Sequence, residues 1–143
     1  MKDNNNKVDY NVYSCGEYSN DNTGFGIGTD AIVFSCSDFS SIGEKSLKLI
    51  RKNTLYGTTC FTRLSNLTGT NNITASVDVY SPYNPVKINL YNGSIITQVT
   101  CPASSTPTTV NLSETISFNQ VDLRVFLDNV DDYCYIDNIQ ISY

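Results

Sequence analysis

Residues 120–143, at the end of the chain, read QVDLRVFLDNVDDYCYIDNIQISY. Apolar residues occupy every second position from 121 to 127, which is the period-two pattern of a half-buried β-strand. Residues 129–132 then supply turn chemistry, and residues 135–142 form a second strand-like segment. This second segment contains Asp137, although Asp is disfavoured in strands. The stretch therefore predicts two strands joined by an acidic turn, with a specific role for Asp137.

The same alternation recurs along the rest of the chain. Further strands are expected at residues 8–14, 30–35, 45–51, 57–64, 72–80, 86–91, 94–100, 109–112 and 116–118. Asn92-Gly93 predicts a hairpin with a type I′ turn. About ten short strands separated by turns, with no convincing helix, indicate an all-β fold. We expect a two-sheet antiparallel β-sandwich of the jelly-roll type.

The length of the chain suits one domain. A chain of 143 residues can bury about two-thirds of its unfolded surface, which is enough for a real core. Residues 1–7, MKDNNNK, carry nothing to bury, and we expect a disordered segment or linker there. Residues 8–143 are expected to form a single β-sandwich domain.

Charge and hydropathy exclude several classes of protein. The net charge is −5 and the basic residues are scattered, whereas nucleic-acid binding needs clustered Lys and Arg. No apolar run is long enough for a transmembrane helix, so no membrane insertion is expected. The first residues, MKDNNNKVDY, lack the apolar core of a signal peptide. The polar, Asn-rich and Tyr-rich composition favours an extracellular or cell-surface module that is a fragment of a larger protein.

The residue types argue against an enzyme. The chain contains no His, which removes His-based triads and the usual proton shuttle. Residues 24–28, GFGIG, lack the spacing of a nucleotide-binding loop and the following P-loop lysine. No two carboxylates stand out by their spacing as an acid and base pair. We therefore expect a non-catalytic protein.

Cysteine usage leaves two interpretations open. The chain has an odd number of cysteines and no CxxC pair, so no pairing can be read from the sequence. Most of them are either buried small apolar residues or members of one or two disulfides. Metal binding through them is disfavoured by their spacing and by the absence of His. The five are Cys15, Cys36, Cys60, Cys101 and Cys134.

Acidic residues near the C-terminus also allow two interpretations. Carboxylates in polar loops can hold a hard cation such as calcium, which takes several oxygen ligands. The alternative is a solvated turn with one hydrogen-bonded Asp. The residues concerned are Asp128, Asp131, Asp132 and Asp137.

Tyrosines are the other candidates for ligand binding. The chain has 10 Tyr and no Trp. Aromatic faces combined with hydrogen-bonding groups are what sugar recognition uses. Tyr80, Tyr83 and Tyr91 are expected to cluster around one turn with outward-facing side chains, and Tyr133 and Tyr135 lie at the last turn. The alternative is that these tyrosines only cover the surface of a sheet.

Three segments resemble strands of a known fold family. They are residues 43–49, GEKSLKL; residues 77–80 and 86–91, VDVY and VKINLY; and residues 135–142, YIDNIQIS. In this order they resemble carbohydrate-binding-module jelly rolls of the galactose-binding-domain-like fold. The resemblance implies a two-sheet sandwich, aromatic ligand binding and often a structural calcium. It also implies that Asp137 is a ligand of that metal.

We therefore expect a non-catalytic binding module for a glycan or cell-surface polysaccharide, with Tyr80, Tyr83, Tyr91 and Tyr133 as ligand-binding residues. The alternative is a structural or adhesive module of an adhesin or viral tail appendage that binds no small ligand. A glycan module should show a groove lined by two or more coplanar tyrosines with polar groups between them, and Tyr80, Tyr83 and Tyr91 on opposite faces would remove its main support. A structural module should disperse them or bury them at an interface.

Overall fold

In the computed structural model of the chain, the backbone is described for residues 7–10, 26–27, 31–52 and 58–143, and side chains for residues 36–52 and 63–143. Eleven strands occur in these ranges. They are β1 (Lys7–Tyr10), β2 (Gly26–Ile27), β3 (Ala31–Cys36), β4 (Ser46–Arg51), β5 (Thr58–Leu64), β6 (Asn71–Tyr80), β7 (Val86–Tyr91), β8 (Ile95–Cys101), β9 (Thr108–Ile116), β10 (Val121–Phe126) and β11 (Tyr133–Ser142).

The strands form two antiparallel sheets. Sheet A has the order β3-β4-β11-β6-β9, and β1 pairs with the second half of β11. Sheet B has the order β2-β5-β10-β7-β8. The two predicted C-terminal strands are central, with β11 between β4 and β6 and β10 between β5 and β7. The predicted all-β, two-sheet sandwich is confirmed.

Alternating residues of both sheets make the core. On β6 and β7 the inward positions are buried and the intervening ones are more exposed, with Asn89 as an exception. Burying each Leu, Ile or Val side chain contributes about 1.5–3 kcal/mol. The largest fully buried side chains are Leu47, Leu49, Ile73, Val77, Val79, Ile88, Leu90, Leu127, Ile136, Ile139 and Ile141.

A bulge in β11 changes which residues face the core. The register with β6 shifts between Asp137 and Gln140, and Asn138 has a φ of 47°. Ile136 points inward before the bulge and Ile139 after it. One extra residue in the strand produces this change of parity. Asn tolerates the left-handed conformation better than most residues, which suits it to this position.

Two local predictions were wrong. Residues 109–112 and 116–118 were expected as separate strands, but β9 runs without a break from Thr108 to Ile116. The polar stretch Ser113-Glu114-Thr115 continues the ladder with β6, because backbone pairing does not require apolar side chains. The β7–β8 connection is not a type I′ turn, because Gly93 has a positive φ of 72° and Asn92 does not.

The described cysteines are thiols. Cys101 and Cys134 are buried and Cys36 is half-buried, and burial raises the pKa of the Cys134 thiol. Their placement agrees with the interpretation as small apolar residues, and the side chains of Cys15 and Cys60 lie outside the described residues. Among the residues that the structure describes, no helix is long and apolar enough to cross a bilayer.

Leu49 tests the core. Its side chain is fully buried, so Leu49→Ala should lower the free energy of unfolding by about 2–5 kcal/mol through lost transfer energy and a residual cavity. Urea denaturation measures the change. The control Ser105→Ala, at an exposed loop position, should shift it by no more than about 0.5 kcal/mol. Equal effects of the two variants would contradict the assignment of Leu49 to the core.

Candidate ligand-binding surfaces

The structure divides the predicted ligand-binding tyrosines between two surfaces. Tyr80, Tyr83 and Tyr133 come together at sheet A, whereas Tyr91 lies on β7 in sheet B. The expected cluster of Tyr80, Tyr83 and Tyr91 around one turn is therefore wrong. The turn at residues 81–85 joins strands of different sheets, and the alternation pattern does not report which sheet a strand joins.

Five aromatic rings form a continuous group on the outer side of sheet A. We call it the sheet A surface, and it consists of Phe39, Tyr80, Tyr83, Tyr133 and Tyr135. Successive ring centroids lie 5.2 to 6.2 Å apart, within the range at which aromatic pairs attract each other. Solvent exposure varies across the group, from 6% for Tyr135 to 79% for Tyr83.

Charged groups border these rings. The ammonium of Lys48 lies 4.8 Å from the ring centroid of Tyr133 and 5.2 Å from that of Tyr135, which gives cation–π attraction to both. The Tyr135 hydroxyl donates a hydrogen bond of 3.1 Å to the Asp38 carboxylate. Contacts with Cys36 and Tyr135 lower the pKa of Asp38. The sheet A surface therefore offers a cationic donor and an anionic acceptor beside its rings.

A tight loop holds Tyr83. The hydroxyl of Ser81 donates to the Asn84 carbonyl at 2.5 Å, and Asn84 Nδ2 donates to the Pro85 carbonyl at 3.2 Å. Asn84 Oδ1 accepts from the backbone N–H of Tyr133 at 3.2 Å. Ser81 and Asn84 are both buried. These bonds fix the backbone on both sides of Tyr83 and tie the loop to the start of β11.

The outer face of sheet B carries a different mixture. We call it the sheet B surface, and it consists of Lys87, Asn89, Tyr91, Gln98, Arg124 and Phe126. Register pairs Arg124 with Asn89, and Asn89 with Gln98. The surface therefore combines two rings with amide, guanidinium and ammonium groups on three adjacent strands.

Cations lie over both rings of this surface. The Arg124 guanidinium is 4.0 Å from the ring centroid of Tyr91, and the Lys87 ammonium is 6.0 Å from that of Phe126. Lys87 also pairs with Asp128 at 2.8 Å. Stacking of this kind restricts the motion of a ring and its cation.

Asn89 occupies the middle of the sheet B surface. Its side chain is only 1% exposed, and Nδ2 donates to Gln98 Oε1 at 3.3 Å. Within the described residues, Asn89 Oδ1 has no hydrogen-bond partner. A buried acceptor without a partner costs about 1–3 kcal/mol, so stability alone does not account for this amide.

Sequence reasoning did not propose several residues of the two surfaces as ligand-binding. The alternation in β7 and β10 places Asn89, Arg124 and Phe126 on the outward side of their strands. It does not show that the three residues are neighbours. Nothing in the sequence places Phe39 beside Tyr80. Such contacts depend on strand order and on the path of the loop between β3 and β4.

Asp137 is a buried carboxylate surrounded by N–H donors. Its Oδ2 accepts hydrogen bonds from the backbone N–H groups of Ser41 at 2.6 Å and Ile42 at 2.9 Å. Its Oδ1 accepts from the N–H of Asn138 at 2.7 Å. Burial raises the pKa of Asp137, and these hydrogen bonds oppose the rise. The Asp that is unusual for a strand therefore anchors the segment before β4.

The acidic residues do not converge on a metal site. Asp128 pairs with Lys87, Asp131 pairs with Lys52 at 2.7 Å, and Asp132 accepts from the N–H of Asn129. In the part of the chain that is described, no group of three or more His, Cys, Asp or Glu could hold a metal ion. The donors around Asp137 are N–H groups, which fit a carboxylate and not a cation. Calcium at Asp137 stays a prediction, and the described residues supply no further ligands for it.

The comparisons with known proteins concern the fold. No protein-family model and no curated protein sequence matches the chain. Among solved structures, the chain is similar to the CBM22-2 xylan-binding domain of Paenibacillus barcinonensis Xyn10C, with a TM-score of 0.70 and 10% identity over 94% of this chain and 98% of that one.

Two further likenesses involve longer chains. One is the CBM22-1–GH10 modules of Clostridium thermocellum endo-1,4-β-D-xylanase 10B complexed with xylohexaose, with a TM-score of 0.66 and 16% identity over 84% of this chain and 26% of that one. The other is the enzymatically active domain of bacteriophage CBA120 tailspike protein 4, with a TM-score of 0.60 and 7% identity over 99% of this chain and 20% of that one. The chain thus has the jelly-roll, galactose-binding-like fold of carbohydrate-binding modules.

The buried Asp137 predicts a specific pH dependence. A pKa raised in the folded state means that the folded protein binds the proton more tightly than the unfolded chain does. The stability contributed by protonation is then fully present below the ordinary Asp pKa of about 3.9 and is lost as pH rises through the folded-state value. The advantage of the wild type over Asp137→Asn should therefore grow as pH falls from 7 to 4.

Urea denaturation across this pH range measures that advantage. The exposed variant Asp131→Asn controls for the loss of one negative charge. An advantage that shrinks on acidification would mean that the three N–H donors outweigh burial and that the carboxylate favours its charged form.

Proposed function

We propose that the chain is a non-catalytic carbohydrate-binding module whose glycan lies on the sheet B surface, with Tyr91 as the stacking ring. The observation that carries this proposal is the Tyr91 ring held under the Arg124 guanidinium at 4.0 Å, beside the amides of Asn89 and Gln98. The similarity of the fold to xylan-binding modules supports it.

The chemistry of the surface matches that of a sugar. A pyranose ring has an apolar face that packs on an aromatic side chain, and a rim of hydroxyls that donate and accept hydrogen bonds. Tyr91 supplies the aromatic face, and Gln98 supplies an amide. Lys87 and Asp128 neutralise each other, which suits a neutral glycan better than a charged one.

The positions of the two rings suit a chain of several sugars. Phe126 lies opposite Lys87 in the ladder. Lys87 precedes Tyr91 by four residues on β7, so the rings of Phe126 and Tyr91 lie roughly 13 Å apart along the strand direction. A single sugar ring does not reach both, and an oligosaccharide does. Both rings stand on central strands of the sheet, where side chains are held more precisely than on loops.

The whole protein is proposed to be extracellular or attached to the cell surface, with this chain as one module. Support comes from solved structures in which the same fold covers only 26% or 20% of a longer chain. The tailspike likeness keeps a structural or adhesive role in a viral tail appendage as the second candidate. Absence of binding to any glycan would favour that candidate.

Tyr91 tests the proposal directly. Tyr91→Ala removes the stacking ring and should weaken binding of xylohexaose about tenfold or more, a loss of roughly 1.4 kcal/mol or more. The matched control Tyr91→Phe keeps the ring and should retain most of the affinity. Isothermal titration calorimetry measures both. If Tyr91→Ala bound xylohexaose as tightly as the wild type does, the assignment of the glycan to the sheet B surface would be wrong.

Substitution of Asn89 distinguishes a role in binding from a role in stability. Asn89→Leu replaces a buried amide that lacks a partner for Oδ1 with an apolar side chain of similar size. The free energy of unfolding should stay within about 1 kcal/mol of the wild-type value or rise. Affinity for the oligosaccharide should fall, because the exposed amide of Gln98 loses the hydrogen bond from Asn89 that orients it. Denaturation and calorimetry on the same sample test this. A large loss of stability would show that Asn89 is structural, and Asn111→Ala, an exposed position on sheet A, serves as control.

A further inference from the structure

We propose that the sheet A surface is a second sugar-binding site, centred on Tyr83 and Tyr133, so that one module holds two neutral glycan chains on opposite sides. This goes beyond the proposed function, because the residues lie on the other sheet. Four side chains are involved: Tyr83, Tyr133, Lys48 and Asp38.

Tyr83 is the first reason. It is the most exposed large apolar side chain among those described, at 79%, yet its loop is fixed by the buried Ser81 and Asn84. None of the described contacts gives a structural reason for leaving this aromatic ring exposed to water. A ring that is exposed on a rigid loop loses little conformational freedom when it binds, and this is the property of an anchor residue.

The geometry of the second ring is the next reason. The rings of Tyr83 and Tyr133 have centroids 6.1 Å apart and planes inclined at 60°, so they form a corner and not a flat stack. The ring of Tyr133 also contacts that of Tyr135, with centroids 5.9 Å apart and planes inclined at 89°. A sugar ring that packs on Tyr83 therefore meets a second, supported aromatic side chain.

Polar groups beside the corner indicate what kind of sugar fits. Lys48 lies against the ring of Tyr133 and can donate hydrogen bonds, while the carboxylate of Asp38 can accept them. Asp38 opposes a carboxylated sugar, and Lys48 opposes a cationic one. A neutral sugar with both donating and accepting hydroxyls satisfies the two groups together.

The sandwich architecture keeps the two surfaces apart. Sheets in such folds pack about 10 Å from each other, and the outer face of each points away from the other. Two occupied surfaces would allow one module to cross-link two polysaccharide chains.

The test is heteronuclear NMR of the ¹⁵N-labelled chain, titrated separately with xylohexaose, cellohexaose and mannohexaose. We expect at least one of these neutral sugars to shift the amide signals of Tyr83, Tyr133 and Lys48. Tyr83→Ala should weaken binding at this surface about tenfold or more, and Tyr83→Phe should retain it. Tyr91→Ala should leave it unchanged. Dispersed spectra of each variant confirm that it is folded.

The outcomes separate the two proposals. Shifts confined to Tyr91, Asn89 and their neighbours would overturn the second site and leave the proposed function intact. Shifts confined to the sheet A surface would uphold this site and overturn the placement of the glycan on sheet B. Shifts at neither surface with any of the three sugars would overturn both.

Cross-linking gives an independent readout. If both surfaces bind xylohexaose, the wild-type module should raise the turbidity of a soluble xylan solution. Either Tyr83→Ala or Tyr91→Ala alone should abolish the rise, while oligosaccharide binding persists at the other surface. Light scattering without polysaccharide checks that the module is monomeric. Turbidity that persists in Tyr83→Ala would count against the second site.

Discussion

The sheet A surface depends on one interaction. The buried carboxylate of Asp137 accepts hydrogen bonds from backbone N–H groups. Its two oxygens accept three hydrogen bonds, two of them from Ser41 and Ile42 in the segment between β3 and β4. Bonds to an ionised acceptor are worth about 1.5–3 kcal/mol each. They hold this segment over the centre of sheet A, where Phe39 contacts Tyr80 and Tyr135.

The bulge at Asn138 makes this arrangement possible. It lets β11 place Ile136 and Ile139 in the core while Asp137 faces the other way. Asn138 also donates its backbone N–H to Asp137 and its side-chain amide to Asp78 at 3.2 Å. Asp78 lies directly opposite Asp137 in the ladder, where like charges repel. Shared donors from Asn138 and Ser41 offset that repulsion.

The two surfaces differ in how they are built. The sheet B surface stands on alternate residues of β7 and β10 and on Gln98 of β8, so its geometry follows from the ladder itself. The sheet A surface takes Tyr80 and Tyr133 from strands, but Tyr83 and Phe39 from loops. Its shape therefore depends on side-chain hydrogen bonds such as those of Asn84 and Asp137. Loss of these anchors should affect the sheet A surface more than the sheet B surface.

The sequence by itself determined the fold class, most strand positions and the inward residues such as Leu47 and Leu49, because alternation and turn chemistry are local properties. It also marked Asp137 as unusual. Only the tertiary structure decided that Tyr91 is separated from Tyr80 and Tyr83, and that Phe39 and Lys48 join them. The reason is that a turn can either keep two strands in one sheet or carry the chain to the other. That choice is made by packing between residues far apart in the chain, which the local pattern does not encode.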